Sequence, residues 1–193
     1  MLNTIFAKKI GMAQKFSPEG ERWGVTKLKI ANMEVAGVRS GEKHGYAAVQ
    51  VKIWDKKGRD YFKEVRYKKD ADLSSLTTGT AVEWDKVLGV GDNIKVSGIS
   101  KGHGFTGVVK RYKFSGGPRT HGQSDRERAR GSSGPTTTPG RVLPGKRMAG
   151  RMGNEQVTIK GLKVMDVDLE KRILTVGGSI PGSAADWVRI EKV

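Results

Sequence analysis

Cysteine is absent from the 193 residues. That removes disulfides, thiolate zinc sites and cysteine nucleophiles together, and it suits a reducing, cytoplasmic setting. Histidine is scarce: His44, His103 and His121 stand alone, without the spacing of metal ligands, so no metal and no cofactor are expected. Ser132 and Ser133 have no neighbouring base, and no catalytic constellation is visible. No apolar run approaches the roughly 18 residues of a membrane-spanning helix. The opening MLNTIFAKKIGM lacks the layout of a signal peptide. A basic amphipathic helix that would hold the chain on a lipid surface is also missing. The expectation is a cytoplasmic, non-enzymatic protein with no membrane partner and no homo-oligomer.

What the chain has in excess is positive charge. Thirty-six Lys and Arg face twenty Asp and Glu, a net +16 with an isoelectric point near 10.1. The excess is concentrated in one place. Between residues 101 and 153 twelve basic residues meet only Asp125 and Glu127, a net +10. This stretch has few apolar residues and cannot recover its ordering entropy by hydrophobic burial. A polyanion supplies what burial cannot, and nucleic acid is the obvious one.

On either side of that stretch the pattern is β. In 25–30, Val25, Lys27 and Lys29 alternate with Thr26, Leu28 and Ile30. In 46–54, Val49, Val51 and Ile53 share a face. In 93–100, Ile94 and Val96 point inward while Lys95 and Ser97 point outward. A period of two broken by Gly-rich turns predicts half-buried antiparallel strands. Residues 17–20 and 40–45 are predicted turns, and 55–88 is mixed and polar. After the basic stretch, Val157, Ile159, Leu162, Val164 and Val167 form a run with a register break near Gly161. Residues 172–176 form another, 168–171 turn between the two, and 187–193 close the chain. The fold class is mainly β. Short strands of this kind fit a small closed antiparallel barrel, which has no exposed edges, with a long, irregular basic extension inserted between strands; an open sandwich is the alternative.

Two glycine motifs resemble nucleotide sites and fail on context. Gly102-His103-Gly104-Phe105-Thr106-Gly107 matches G-x-G-x-x-G and precedes a short predicted helix through Tyr112. No second apolar strand follows to carry a ribose-binding acid, although Asp125 stands at a plausible distance. Gly140 to Arg147 matches a phosphate-binding loop except at its last position, where Arg147 replaces the magnesium-ligating Ser or Thr. Pro144 also removes a backbone donor, and no buried strand comes before it. Beside Lys and Arg, these glycines suit close approach of backbone amides to the phosphates of a polymer.

Within 101–153 arginine outnumbers lysine, which favours bidentate phosphate contacts and stacking on bases. Twelve glycines allow close approach, while Pro118, Pro135, Pro139 and Pro144 restrict the unbound chain. Small residues from Gly131 to Gly140 look like a slim, uncharged tip. A solvated charge run is the bland reading, but Phe105, Tyr112, Phe114, Met148 and Met152 are anchors that such a loop would not need. No helix-turn-helix, zinc finger or zipper is present to read a DNA groove, so insertion into folded RNA is expected.

The ordered motifs resemble a known family over essentially the whole chain. They are Lys8-Lys9-Ile10-Gly11-Met12 with Phe16; Lys101 to Arg111; Thr120-His121-Gly122; Gly131-Ser132; Thr138-Pro139-Gly140; Gly145 to Gly153; and Gly178 to Gly182. Together they resemble the universal large-subunit ribosomal protein family L-three in its short bacterial form. The resemblance implies a six-stranded barrel of the translation-protein type, formed by 1–100 and 154–193, and an RNA-penetrating finger, 101–153. It implies binding near the 3′ end of the large-subunit rRNA, nucleation of subunit assembly, and a finger directed towards the peptidyl transferase centre. Ribosomal proteins L-fourteen and L-nineteen are the implied neighbours. Many bacterial members carry a methylated glutamine at the tip where this chain has Thr137, so that modification cannot occur here.

The expected RNA contacts are Lys8, Lys9, Lys101, His103, Lys110, Arg111, Lys113, Arg119, His121, Arg126, Arg128, Arg130, Arg141, Lys146, Arg147 and Arg151. The expected tip is Ser133, Gly134, Pro135, Thr136, Thr137, Thr138 and Pro139.

Overall fold

The computed structural model describes residues 3–54, 59–67 and 76–193, so part of the mixed 55–88 stretch lies outside the described residues. Its elements in chain order are β1 (Thr4–Phe16), β2 (Arg22–Ile30), β3 (Asn32–Arg39), α1 (Gly41–His44), β4 (Ala48–Trp54), β5 (Asp60–Arg66) and β6 (Asn93–Ile99). Then come β7 (Gly104–Thr106), α2 (Val108–Tyr112), β8 (Gly150–Met152), β9 (Gln156–Asp168), β10 (Ile173–Gly177) and β11 (Trp187–Lys192). The chain divides into two compact units, Met1–Ser100 with Gln156–Val193, and Lys101–Glu155.

The first unit is mainly β. Six strands pair in the order β1-β11-β6-β9-β10-β2, and β2 pairs back onto β1, so every one of them has a partner on both sides. All the ladders are antiparallel. The alternating apolar residues of these strands meet inside. Ile5, Leu28, Ile94, Val96, Leu174, Val176 and Ile190 are fully buried. Each such aliphatic side chain contributes about 1.5–3 kcal/mol through burial.

β-bulges bend the long strands around this core. One interrupts β1 against β2 between Lys9 and Gly11. Another shifts β9 against β6, where Ile94 and Val96 face Leu162 and Ile159. It falls at Gly161, whose φ of 74° suits the extra residue. The register break predicted near Gly161 is therefore this bulge.

β3, β4 and β5 form a separate sheet in that order. Its buried face carries Met33, Val35, Val49, Val51, Ile53 and Val65, which join the same hydrophobic cluster as the six-stranded core. Its other face is mixed: Lys52 lies 3.1 Å from Asp60 and 3.6 Å from Glu34, beside an exposed Phe62.

Some local expectations need correction. Ser97 is buried, because its face of β6 lines a cleft with Lys63, Glu64 and Arg189. Its hydroxyl is satisfied across the ladder by Thr158 at 2.8 Å. Val157 is exposed rather than in the core; its partner on β6 is Gly98, which offers no side chain to cover it. Residues 41–44 make one helical turn, closed by Gly45 at φ 78°. Arg172 sits at φ 54° outside the strand, which starts at Ile173. β1, thirteen residues long, had no counterpart in the sequence reading because Lys8, Lys9, Gly11 and Lys15 break its alternation.

Candidate nucleic-acid interface

Residues 101–155 fold with almost no core. Thr106 and Val108 are the only buried residues of this unit. Its order comes from backbone contacts that glycines permit. At its base β7 pairs with β8, Phe105 facing Arg151, and the His103 N–H donates to the Met152 carbonyl at 2.9 Å. Gly153 stands so close to Lys101 that a Cβ there would lie 2.1 Å from the Lys101 carbonyl oxygen. A second clasp lies further along. Gly117 N–H donates to the Glu127 carbonyl at 2.9 Å, and a Cβ on Gly116 would come within 2.3 Å of that oxygen. The Gln123 amide oxygen, in the orientation that satisfies both partners, accepts from the Arg126 and Glu127 N–H groups at 2.9 Å.

Between the two clasps runs α2, begun at Gly107 and ended by Lys113 in the left-handed region at φ 62°. The helix presents Tyr112 to two arginines. The Arg111 guanidinium lies 5.0 Å and that of Arg147 5.4 Å from the Tyr112 ring centroid. Both distances fall within cation–π reach. Arg111 also donates to the Met148 carbonyl at 2.9 Å and lies over Gly150, where a Cβ would meet its Nη1 at 2.5 Å. Phe114 tilts against Tyr112, with ring centroids 6.1 Å apart. The arginine-binding role of Tyr112 was not read from the sequence. Its neighbour Arg111 hints at it, but Arg147 is thirty-five residues away.

The remaining cations are mostly in solvent. Lys101, Lys110, Lys113, Arg126, Arg128, Arg141, Lys146 and Arg151 are exposed, as are His103 and His121. Lys110 lies 3.5 Å from His103 Nδ1. Arg119 is engaged by Glu127 at 2.8 Å. Arg130 is half-buried, and its Nε and Nη2 are enclosed without an acceptor. Donors left in that state cost about 1–3 kcal/mol unless something supplies an oxygen. Of residues 133–139 only Ser133 is half-buried; the rest are exposed and uncharged. Gly134 N–H donates to Ser132 Oγ at 3.2 Å, which shapes the turn there.

Fourteen of the sixteen expected contacts thus fall in this unit. Lys8 and Lys9 belong to the other unit, where both have structural uses. Lys9 Nζ donates to the carbonyls of Ile180 and Gly182, each at 2.8 Å, and Lys8 Nζ lies 4.7 Å over the Trp187 ring.

The glycine motifs take neither nucleotide-site form. Gly102 to Gly107 runs into an antiparallel ribbon, whereas a dinucleotide site needs a parallel strand–helix–strand unit. Gly140 to Arg147 opens no helix; it leads into β8. Among the described residues no group of three or more His, Cys, Asp or Glu could hold a metal ion.

A family model described as Ribosomal protein L3 matches residues 65–191. The chain belongs to the ribosomal protein L3 family. Over 206 aligned residues it is 43% identical to the large ribosomal subunit protein uL3 of Herpetosiphon aurantiacus, covering 100% of this chain and 97% of that protein. It is 42% identical to the uL3 protein of Dehalococcoides mccartyi strain BAV1, covering 100% and 98%. It is 39% identical to the large ribosomal subunit protein uL3c of Gracilaria tenuistipitata var. liui, covering 96% of this chain and 97% of that protein. Membership of this family makes the chain a structural ribosomal protein and not an enzyme.

Proposed function

We propose that this L3-family protein is a constituent of the large ribosomal subunit that binds large-subunit rRNA through residues 101–153. The observation that carries this reading is the basic unit itself. It holds twelve Lys and Arg, two buried residues and two glycine clasps, and it leaves most of its cations exposed. Such a unit is shaped in advance yet gains little from its own packing, so a polyanion completes it. In this reading the six-stranded body is a small closed barrel of the translation-protein type. The unit is a finger whose slim tip, 133–139, runs towards the peptidyl transferase centre. Binding lies near the 3′ end of the rRNA and nucleates assembly, beside L-fourteen and L-nineteen, in the cytoplasmic ribosome. Arg126, Arg128, Arg141 and Arg151, all exposed, are arginines open to a phosphate.

The test removes residues 117–147 from the full chain and measures binding to a large-subunit rRNA transcript across a salt series. The parent protein is expected to lose affinity by orders of magnitude as salt rises, and the shortened chain to bind weakly with a much flatter slope. Equal affinity and equal slope would sink the proposal. Competition by duplex DNA at equal affinity would favour an architectural DNA-binding role instead.

A further inference from the structure

The β7–β8 ribbon sorts two neighbouring residues against their chemistry. Thr106 is buried, whereas Phe105, one position earlier, is 82% exposed, more than any other large apolar side chain among the described residues. The hydrophobic effect favours the reverse, and a slip of one residue in the pairing would deliver it. Backbone contacts oppose that slip. The His103 N–H donates to the Met152 carbonyl at 2.9 Å, and Gly153 packs directly on Lys101. The Thr106 hydroxyl turns back to the carbonyls of His103 and Gly104, each at 3.3 Å. The aromatic ring is thus held outside by the ribbon's own register.

That ring is also unclaimed. Tyr112 is shared by Arg111 and Arg147 and touched by Phe114, but among the described residues no ring and no cation lies against Phe105. Glycines keep its flanks open: a Cβ on Gly104 or Gly107 would meet nothing within 4 Å. Directly opposite on β8 stands Arg151, which is exposed. Among the described residues no carboxylate forms an ion pair with it. Residues opposed across a ladder project from one face, with Cβ atoms about 5 Å apart. An open aromatic face beside an unpaired guanidinium suits a base and its phosphate. It suits a protein partner less, because an interface core gathers several apolar side chains and this face offers one ring beside an arginine.

We infer that Phe105 is a stacking platform for one unstacked base of the large-subunit rRNA, with Arg151 on an adjoining phosphate. The inference rests on the rRNA-binding reading and adds a base contact to the phosphate contacts of that segment.

The test uses the full-length protein and a large-subunit rRNA transcript, with affinity measured across a salt series. Phe105→Ala should weaken binding about five- to 150-fold, the range of one stacked base, and leave the salt slope unchanged because no charge is removed. Phe105→Tyr and Phe105→Trp should keep most of the affinity, since each retains a π-face. Phe105→Leu keeps the apolar bulk without the ring and should bind nearly as weakly as Phe105→Ala. Arg151→Gln should lower the slope by about one. Hydrogen exchange at the His103 amide shows whether the ribbon stays formed; if Phe105→Ala opens it, the contrast of Phe105→Leu with Phe105→Tyr carries the test. Phe105→Ala or Phe105→Leu binding like the parent overturns this inference and leaves the rRNA-binding function standing. A parent protein that does not bind the transcript overturns both. Parent-like binding by Phe105→Ala together with poor incorporation into subunits also overturns it, and assigns the ring to a protein neighbour.

Discussion

Gly153 packs on Lys101 so closely that the first atom of any side chain would lie 2.1 Å from the Lys101 carbonyl oxygen. The residue also stands at φ 74°, where L side chains are strained. Gly153→Ala is therefore expected to open the β7–β8 ribbon, through about 1–2 kcal/mol of backbone cost and the clash besides. The readout is hydrogen exchange. The His103 N–H, bonded to Met152, should lose protection while amides of the six-stranded body keep theirs.

Lys9 separates a structural use from an RNA contact. Its ammonium satisfies the carbonyls of Ile180 and Gly182, in a loop that also receives the Thr26 hydroxyl at Gly178. Replacing Lys9 with Met should cost about 1–3 kcal/mol, because these partly buried acceptors lose their donor. Urea denaturation should show that loss. The salt slope for rRNA binding should stay where it was; a slope lower by about one would assign Lys9 to a phosphate instead.

The Arg119–Glu127 pair lies in solvent, where ion pairs contribute little. Glu127→Gln is expected to change stability by less than about 0.5 kcal/mol. It should raise rRNA affinity at low salt, because Arg119 is released and a repelling carboxylate is removed. Unchanged affinity across the salt series would show that Arg119 faces no phosphate.

Acid should weaken the body through two aspartates. The Asp92 carboxyl is held below the ordinary aspartate value, first by the Gly89 N–H and then by Lys192. Asp166 is held down by Lys15 at 2.9 Å. A depressed folded pKa gives stability that is fully present above the unfolded value, about 3.9, and is lost as pH falls through the folded value. Melting temperature should therefore be flat with respect to these groups near neutrality and fall below about pH 4. Asp92→Asn and Asp166→Asn should each flatten that acid limb, and salt should weaken the Asp166 contribution.

Leu28→Ala tests the core. Leu28 is fully buried between the ladders to β1 and β10, facing Lys9 and Leu174. A loss of about 2–5 kcal/mol is expected in chemical denaturation.

The residue pattern alone determined a good deal. Period-two runs such as Val49, Val51 and Ile53 marked strands, because a half-buried strand has to alternate. Gly161 marked a break in register, and the concentration of charge in 101–153 marked a segment that needs a polyanion. The family motifs were also readable. The pattern missed β1, whose lysines serve partners far along the chain: Lys9 reaches Ile180 and Gly182, and Lys15 reaches Asp166. It misplaced Ser97, whose outward face is covered by residues from other strands. Nor could it show that Arg111 and Arg147 share the Tyr112 ring, or that Phe105 stands opposite Arg151. Periodicity and composition report how a residue relates to solvent and to its near neighbours. Which distant residues meet depends on strand pairing and on clasps formed where glycines let two backbones touch, and only the tertiary structure decided that.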